Sequence, residues 1–245
     1  MIMPRRIVFM GSDPIALPAL NFLYEAKAYT LVGIFTQPDR RSGRGQKIIA
    51  NGIKQWAEER SIPVRQPSRL EEVDRRVLVQ WRPDAVLVMA YGHLLKENWL
   101  KTPGFGTYNI HASLLPRYRG ASPIQGCLLE GEGESGVSLM KLVRKMDAGP
   151  VLGVEKIAIK KNETAGSLEK KLSEACLPLM QRSFSLIFQE TPPLVPQEES
   201  EVTYTRKLSK EDGVLDFSQS ALVLMRRING LFPWPGTSFQ IEGLV

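Results

Sequence analysis

The fold is decided by one run of six residues, Asp84-Ala85-Val86-Leu87-Val88-Met89. Every position after the aspartate is apolar, which is typical of a parallel strand buried on both faces. Apolar runs of strand length also occur at 7–10 and 31–36, and helical patterns alternate with them. This alternation predicts a doubly wound, Rossmann-like α/β sheet that is mostly parallel. Ligands of such sheets bind outside the carboxyl ends of the strands, so a site is expected just after Met89 and after the next strand.

The next predicted strand, 107–111, carries two side chains suited to acyl transfer. Asn109 and His111 are two residues apart and therefore project from the same face of the strand, whereas Ile110 points into the core. An amide can donate a hydrogen bond to a developing oxyanion, and an imidazole can exchange a proton near neutral pH. Asp147 lies in a later loop and is a candidate to orient the imidazole. With no serine or cysteine nucleophile among them, these three residues indicate direct transfer of an acyl group to an amine.

Composition bounds the class of protein. A chain of 245 residues can hold one large domain, or one domain and part of another. Its hydrophobic content of 43% and charged content of 24% are ordinary for a soluble globular protein. Cys127 and Cys176 match no zinc or CxxC spacing and are expected to be buried thiols. Because no signal peptide or membrane-length apolar segment is found, the sequence predicts a cytoplasmic, reduced protein without a metal site or membrane attachment.

Positive charge is concentrated in one glycine-containing segment, 39–47. The segment carries Arg40, Arg41, Arg44 and Lys47, and the whole chain has a formal net charge of +6. Arginine forks on a flexible loop suit recognition of phosphates and unpaired RNA ends. The charge alone leaves two interpretations open, because a short basic loop is usually only solvated and a contact with RNA is the alternative.

A literal GxGxxG at 131–136 does not indicate a dinucleotide site. The segment follows a predicted helix and precedes a predicted strand, which reverses the order of the dinucleotide-binding fingerprint. Its two glutamates would also repel a pyrophosphate. We interpret it as a turn.

The composition changes near residue 190. Residues 189–201 contain three prolines and four glutamates, which is typical of a linker. The predicted division is a catalytic domain at 1–189, a linker at 190–205 and the start of a second domain at 206–245. A basic helix is expected at 221–228, and the run 238–243 is typical of the first strand of a β domain.

Several motifs, in this order, resemble the folate-dependent formyltransferases. They are Asn-x-His at 109–111, Ser-Leu-Leu-Pro-x-Tyr-Arg-Gly at 113–120 and Met-Asp-x-Gly-Pro at 146–150, supported by Phe35–Arg40, Ala90–Gly92 and Phe232–Pro235. The likeness extends from Arg6 to the last residue. It departs after Gly92, where the family usually has a proline and this chain has His93, so His93 is expected only to line the cleft or face solvent.

The resemblance implies a reaction and a set of residues. The donor would be 10-formyltetrahydrofolate, with no metal, and the acceptor the α-amino group of methionine on initiator methionyl-tRNA. The implied catalytic residues are Asn109, His111 and Asp147. The implied folate-binding residues are Met89, Ala90, Tyr91, Gly92, Ser113, Leu114, Leu115 and Pro116, and the implied tRNA-binding residues are Arg40, Arg41, Arg44 and Lys47. In the family a small β-barrel follows the linker, so the chain is expected to be truncated inside its second domain. It is also expected to be a monomer.

Two alternatives remain open from the sequence. An amino-sugar N-formyltransferase or a formyltetrahydrofolate hydrolase-like domain would share Asn109, His111 and Asp147. The basic loop and the 232–237 segment favour the tRNA substrate. A non-catalytic RNA-binding protein that kept the fold is the second alternative, and the intact catalytic trio argues against it.

Overall fold

The computed structural model describes residues 3–42, 47–49 and 51–240. In these residues the strands are β1 (Arg5–Gly11), β2 (Tyr29–Phe35), β3 (Arg40–Ser42), β4 (Lys47–Ile49), β5 (Val64–Arg65), β6 (Ala85–Met89), β7 (Thr107–His111), β8 (Arg119–Gly120), β9 (Glu134–Lys141), β10 (Val151–Ala158) and β11 (Tyr204–Thr205). The helices are α1 (Leu17–Glu25), α2 (Gly52–Glu58), α3 (Glu72–Gln80), α4 (Glu97–Leu100), α5 (Pro123–Glu130), α6 (Ala165–Ser183) and α7 (Ala221–Leu231). Short 3-10 helices lie at Pro14–Ala16, Phe184–Phe188, Glu199–Glu201 and Lys210–Gly213.

The main sheet, as far as the described residues go, has seven strands in the order β10-β9-β7-β6-β1-β2-β5. Parallel pairing joins β1 to β2 and β6, β6 to β7, and β2 to β5. At one edge β9 runs antiparallel between β7 and β10. The predicted Rossmann-like, mostly parallel sheet is confirmed.

Both faces of the sheet are covered, as the uninterrupted apolar strands require. All five residues of β6 are buried. Along β1 the alternation of side chains puts Ile7 and Phe9 in one hydrophobic core and Val8 and Met10 in the other. On the first face α6 packs against α1, β9 and β10. The two layers of helices hold the central strands rigidly, which fixes the positions of their ends.

The carboxyl ends of β1, β6 and β7 meet at one edge of the sheet. Gly11 ends β1 directly opposite Met89, which ends β6. A side chain at Gly11 would overlap the carbonyl oxygen of Met89, so the two strands approach this closely only with glycine. Ala90 then turns the chain out of the sheet with φ +48°.

The basic segment forms a backbone hairpin where the sequence predicts a loop. Its strands β3 and β4 are antiparallel, with Arg41 opposite Ile48. The β-branched Ile48 and Ile49 favour an extended backbone, which accounts for the pairing. Residues 43–46, including Arg44, lie outside the described residues.

The segment predicted as a linker runs along the catalytic domain. Val195 exchanges backbone hydrogen bonds with Val151, at 2.8 Å each way. Further on, β11 pairs in parallel with β8. The domain boundaries at 189 and 205 stay a prediction, but the 190–205 segment is docked and not free.

The C-terminal segment follows the expected pattern in its first half. Helix α7 extends three residues beyond the predicted 221–228 and packs against α5 and α6. Of the strand predicted at 238–243, Ser238 forms an isolated parallel bridge with Val214, and residues 241–243 lie outside the described residues. Among the helices of the described residues, none is long and apolar enough to cross a membrane.

Candidate active site

Strand β7 presents Asn109 and His111 at the edge where β6 also ends. Ile110, between them, is buried in the hydrophobic core as strand alternation predicts. His111 is only 6% exposed, whereas Asn109 is half-buried. The imidazole is therefore largely shielded from solvent and the amide partly so, and hydrogen bonds in such a setting act more strongly than in bulk water.

A backbone carbonyl orients the imidazole of His111. Its Nε2 lies 2.8 Å from the carbonyl oxygen of Tyr118, and its Nδ1 lies 3.9 Å from Oδ2 of Asp147. The second distance is too long for a hydrogen bond. In this structure the Tyr118 carbonyl is the hydrogen-bond partner of the imidazole, and the orienting role of Asp147 stays a prediction. Because a carbonyl only accepts, Nε2 carries the hydrogen and Nδ1 is the nitrogen that faces Asp147.

The carboxylate of Asp147 is held by a backbone donor. Its Oδ2 accepts a hydrogen bond of 2.9 Å from the N–H of Gly120. Asp147 has φ +47° and Tyr118 has φ +59°. This left-handed region is uncommon for residues other than glycine, and such residues cluster where function fixes the backbone.

Two clefts meet at Asn109 and His111. We call the first, of about 570 Å³, the Asp147 cleft. It is lined by Val88, Ala90, Tyr91, Gly92, His93, Leu94, Leu95, Leu100, Asn109, His111, Gly120, Ala121, Leu142, Val143, Met146 and Asp147. We call the second, of about 250 Å³, the Glu169 cleft. It is lined by Asp13, Ile15, Met89, Ala90, Asn109, Ile110, His111, Ala112, Gly120, Ala121, Pro123, Ile124, Gln125 and Glu169. A site of this form can hold two reactants on either side of one set of catalytic groups.

The segment 89–92 lies at both clefts. Ala90, Tyr91 and Gly92 line the Asp147 cleft, whereas Met89 lines the Glu169 cleft. The Tyr91 ring is buried, which raises the pKa of its hydroxyl, and its carbonyl accepts a hydrogen bond of 3.0 Å from the side chain of Gln37. His93 lines the Asp147 cleft, as expected, with Nε2 3.3 Å from the carbonyl oxygen of Pro67.

The segment 113–116 is anchored to β9. Ser113 is fully buried and its hydroxyl donates to the carbonyl of Arg117 at 2.7 Å. Ser138 donates to the Ser113 carbonyl at 2.7 Å and accepts from the N–H of Leu115 at 3.1 Å. These contacts shape the loop that carries Tyr118. Direct folate contact by Ser113, Leu114, Leu115 and Pro116 stays a prediction.

For the predicted tRNA-binding residues the structure describes the course of the backbone at three of the four positions. Arg40 and Arg41 lie on β3 and Lys47 on β4, whereas Arg44 lies outside the described residues. The base of the hairpin is firmly attached. Asp39 accepts hydrogen bonds from Lys54 at 2.6 Å and from Gln66 at 2.7 Å, and these hydrogen bonds lower its pKa.

A third cleft joins the hairpin base to the active-site loop. It has a volume of about 490 Å³ and is lined by Ser12, Asp13, Gln37, Pro38, Asn51, Ala90, Tyr91, Gly92, His93 and Lys207. Pro38 and Asn51, which flank the hairpin in the sequence, therefore lie at the same cleft as the segment that follows β6.

The described part of the chain contains no group of three or more His, Cys, Asp or Glu residues that could hold a metal ion. Cys127 and Cys176 are buried and unpaired by disulfide, as the sequence predicts. Burial raises the pKa of the Cys127 thiol to about 11 and that of Cys176 to about 12.

Three contributors to the site were missed by sequence reasoning. They are the Tyr118 carbonyl, the Gly120 N–H and the side chain of Gln197, which donates to the carbonyls of Asp147 and Gly149. Gly120 could have been recognised in the sequence, because it is the glycine that ends the motif at 113–120. It has φ +111°, and a side chain there would overlap the carbonyl oxygen of Thr205. Nothing in the sequence pointed to Gln197, because it lies in a polar, proline-rich segment.

Comparison with known proteins identifies the class. The formyl transferase family model matches residues 5–182, and the model of the formyl transferase C-terminal domain matches residues 207–244. The chain therefore belongs to the formyl transferase family and is an enzyme of formyl transfer. Its relatives include the methionyl-tRNA formyltransferase of Methylococcus capsulatus, 40% identical over 98% of this chain and 78% of that protein. That of Magnetococcus marinus is 41% identical over 94% of this chain and 74% of that protein.

The fold also matches solved structures at low sequence identity. The N-formyltransferase from Helicobacter canadensis, in complex with folinic acid and dTDP-3-aminofucose, superposes with a TM-score of 0.73 at 18% identity. The match covers 98% of this chain and 85% of that one. At this identity the likeness shows the shared fold alone.

Proposed function

We propose that this enzyme, acting as a monomer, transfers the formyl group of 10-formyltetrahydrofolate to the α-amino group of methionine on initiator methionyl-tRNA. The activity named for its relatives supports this proposal. The observation that carries it is that Asn109 and His111 stand where two clefts of different size meet, with Asp147 beside them.

The Asp147 cleft is the proposed site of the folate donor. Its volume of about 570 Å³ lies within the usual range for small-molecule sites, roughly 300–1,000 Å³. Leu95, Leu142 and Val143 offer apolar walls for a flat heteroaromatic ring. The backbone of Ala90 to Gly92 adds polar groups for the edge of that ring. The residues present therefore fit a pterin.

The Glu169 cleft is the proposed site of the methionyl end of the acceptor. It is too small for the whole donor, and its apolar lining includes Ile15, Met89 and Ile124. Asp13 and Glu169 add carboxylates that would attract an α-ammonium group. Burial raises the pKa of Glu169, and the charge of Asp13 raises it further, so a bound cation would relieve both effects.

In the proposed reaction the bound ammonium group first loses one proton to solvent, and the neutral amine then attacks the formyl carbon. A new C–N bond forms, and the carbonyl oxygen becomes an anion that the amide of Asn109 and a protonated Nδ1 of His111 stabilise. Asp147 receives the proton that the amine loses, directly or through water. When the intermediate collapses, the bond from carbon to N10 of the folate breaks and that nitrogen takes up the proton that Asp147 received, directly or through water.

The basic hairpin is the proposed contact with the tRNA acceptor end. Arg40, Arg41, Arg44 and Lys47 supply the positive charge of this segment. Its base is anchored at Asp39, which accepts hydrogen bonds from Lys54 and Gln66. Lys207 lines the third cleft and adds positive charge there.

The test is a comparison of acceptors with the purified enzyme and 10-formyltetrahydrofolate. Initiator methionyl-tRNA should be formylated much faster than elongator methionyl-tRNA or a dTDP-amino sugar. Preferential formylation of the amino sugar, or no formylation of any acceptor, would overturn the proposal.

A further inference from the structure

We propose that residues 197–205, which we call the strap, position the catalytic residues of the active site. Within the strap, Gln197 is the positioning residue for Asp147. The strap lies in the segment predicted to be a linker. This inference rests on the proposed catalytic roles of His111 and Asp147, and it assigns to the strap the task of holding both in place.

Gln197 fixes the backbone of the Asp147 loop. Its Nε2 donates to the carbonyl of Asp147 at 2.8 Å and to the carbonyl of Gly149 at 2.7 Å. Both amide hydrogens are thereby used on one turn. The turn contains the left-handed Asp147, whose backbone has an unfavourable geometry that needs such support.

Arg119 fixes Gln197 in turn. The guanidinium is fully buried, and its Nε donates to Oε1 of Gln197 at 2.9 Å. Its Nη2 donates to Glu199 at 3.0 Å. A buried charge binds its partners with strict geometry because any loss of contact leaves it desolvated and unpaired.

These contacts close a ring around Asp147. Gly120, the residue after Arg119, donates its N–H to the Asp147 carboxylate at 2.9 Å. Asp147 is thus held at its carboxylate by β8 and at its carbonyl by Gln197, which Arg119 of β8 holds. A shift of Gln197 would move Asp147 relative to His111.

The far end of the strap supports His111. The hydroxyl of Thr203 accepts from the N–H of Tyr118 at 2.8 Å, and the carbonyl of Thr203 accepts from the N–H of Arg119 at 2.9 Å. Tyr118 is the residue whose carbonyl binds Nε2 of His111. Misplacement of a catalytic group by about 1 Å costs on the order of a hundredfold in rate, so this support bears directly on turnover.

The chain offers variants that separate positioning from folding. Gln197→Ala removes all three hydrogen bonds. Gln197→Glu keeps the acceptor for Arg119, with added charge, but places a carboxylate oxygen against two carbonyls. Glu198→Gln is the matched control, since Glu198 is exposed and its side chain bonds to Ser200 within the strap.

The experiment measures kcat, KM for each substrate and melting temperature in the full chain. We expect kcat to fall at least tenfold in both Gln197 variants, with each KM changed less than about threefold. A purely structural role predicts that the loss of kcat in each Gln197 variant disappears when the assay is run well below the melting temperature of that variant, whereas a positioning role predicts that the loss remains. Parental kcat in both Gln197 variants, or an equal loss of kcat in Glu198→Gln, would overturn the proposal.

A second readout does not depend on activity. The chain has two histidines, so ¹⁵N-histidine spectra in a His93→Gln background report on His111 alone. The Nδ1 signal of His111 should shift in both Gln197 variants and stay in place in Glu198→Gln. An Nδ1 signal that does not move in the Gln197 variants would refute the strap proposal. If the signal moves but the parent enzyme formylates none of the acceptors, only the proposed function is refuted.

Discussion

Nε2 of His111 donates a hydrogen bond of 2.8 Å to the carbonyl oxygen of Tyr118. This contact settles which nitrogen of the imidazole is available for chemistry. Because Nε2 is committed as a donor, Nδ1 is the nitrogen left free to face a reactant. It faces Oδ2 of Asp147 across 3.9 Å. In the proposed reaction this nitrogen is the hydrogen-bond donor to the oxyanion.

The first prediction concerns the catalytic trio. Replacement of Asn109, His111 or Asp147 by alanine should lower turnover by on the order of a hundredfold or more, because each removes an oxyanion donor or a proton-transfer group. Folate affinity should change far less, which equilibrium binding of the donor would show. His93→Ala is the matched control, since it removes the other imidazole of the Asp147 cleft. Near-parental turnover in His111→Ala would refute the imidazole mechanism.

The sequence predicted the parts of the site that depend on side-chain identity and local pattern. Strand alternation placed Asn109 and His111 on one face, and the quoted motifs pointed to Asp147. The Tyr118 carbonyl could not be predicted, because every residue has a carbonyl and its direction depends on the turn at φ +59°.

Long-range contacts explain the remaining misses. Gln197 is 50 residues from Asp147 along the chain, and the composition of its segment is that of an exposed linker. The bridge between Val195 and Val151, together with the pairing of β8 with β11, brings the two together. The hairpin of β3 and β4 was predicted as a loop because strands of three residues carry too little pattern to be recognised.

The second prediction concerns pH and the start of α6. Burial alone would raise the pKa of Glu163, but hydrogen bonds from Lys171, Ser167 and the N–H of Lys160 lower it. A carboxyl group whose pKa is lowered on folding stabilises the folded protein at pH values above the pKa of 4.5 that the group has in the unfolded chain. That contribution is lost as the pH falls through the lower pKa of the folded state.

Glu163→Gln should therefore lower the free energy of unfolding by about 1.5–3 kcal/mol at pH 7, which is the usual contribution of a hydrogen bond to a charged group. Below about pH 4 the difference from the parent should shrink. Denaturant unfolding at several pH values measures this, with the exposed Glu174→Gln on the same helix as control. A difference that is constant with pH would contradict the assignment.

The third prediction concerns the basic hairpin. Arg41→Ala and Arg44→Ala should each weaken tRNA binding and flatten its dependence on salt, because fewer counterions are released. Each lost phosphate contact reduces the slope of log K against log salt by roughly 0.7–0.9. Folate binding should be unchanged. Lys156→Ala is the control, because it removes the same single positive charge from a different part of the fold. Lys156 pairs with Glu134 on the neighbouring strand at 3.0 Å. An unchanged slope in both arginine variants would mean that the hairpin does not contact the tRNA.

The last prediction concerns the Glu169 cleft. Glu169→Gln should raise KM for methionyl-tRNA several-fold, because the cleft loses a carboxylate that would attract the acceptor ammonium. The donor KM should stay within about twofold, since Glu169 lines the Glu169 cleft and not the Asp147 cleft. The pKa of Glu169 is raised, so its carboxylate forms only as the pH rises through that value, and the advantage of the parent enzyme should grow over the same range. Steady-state kinetics at several pH values, with Glu174→Gln as control, measure both effects. A donor KM that rises as much as the acceptor KM would mean that the two clefts do not divide the substrates in this way.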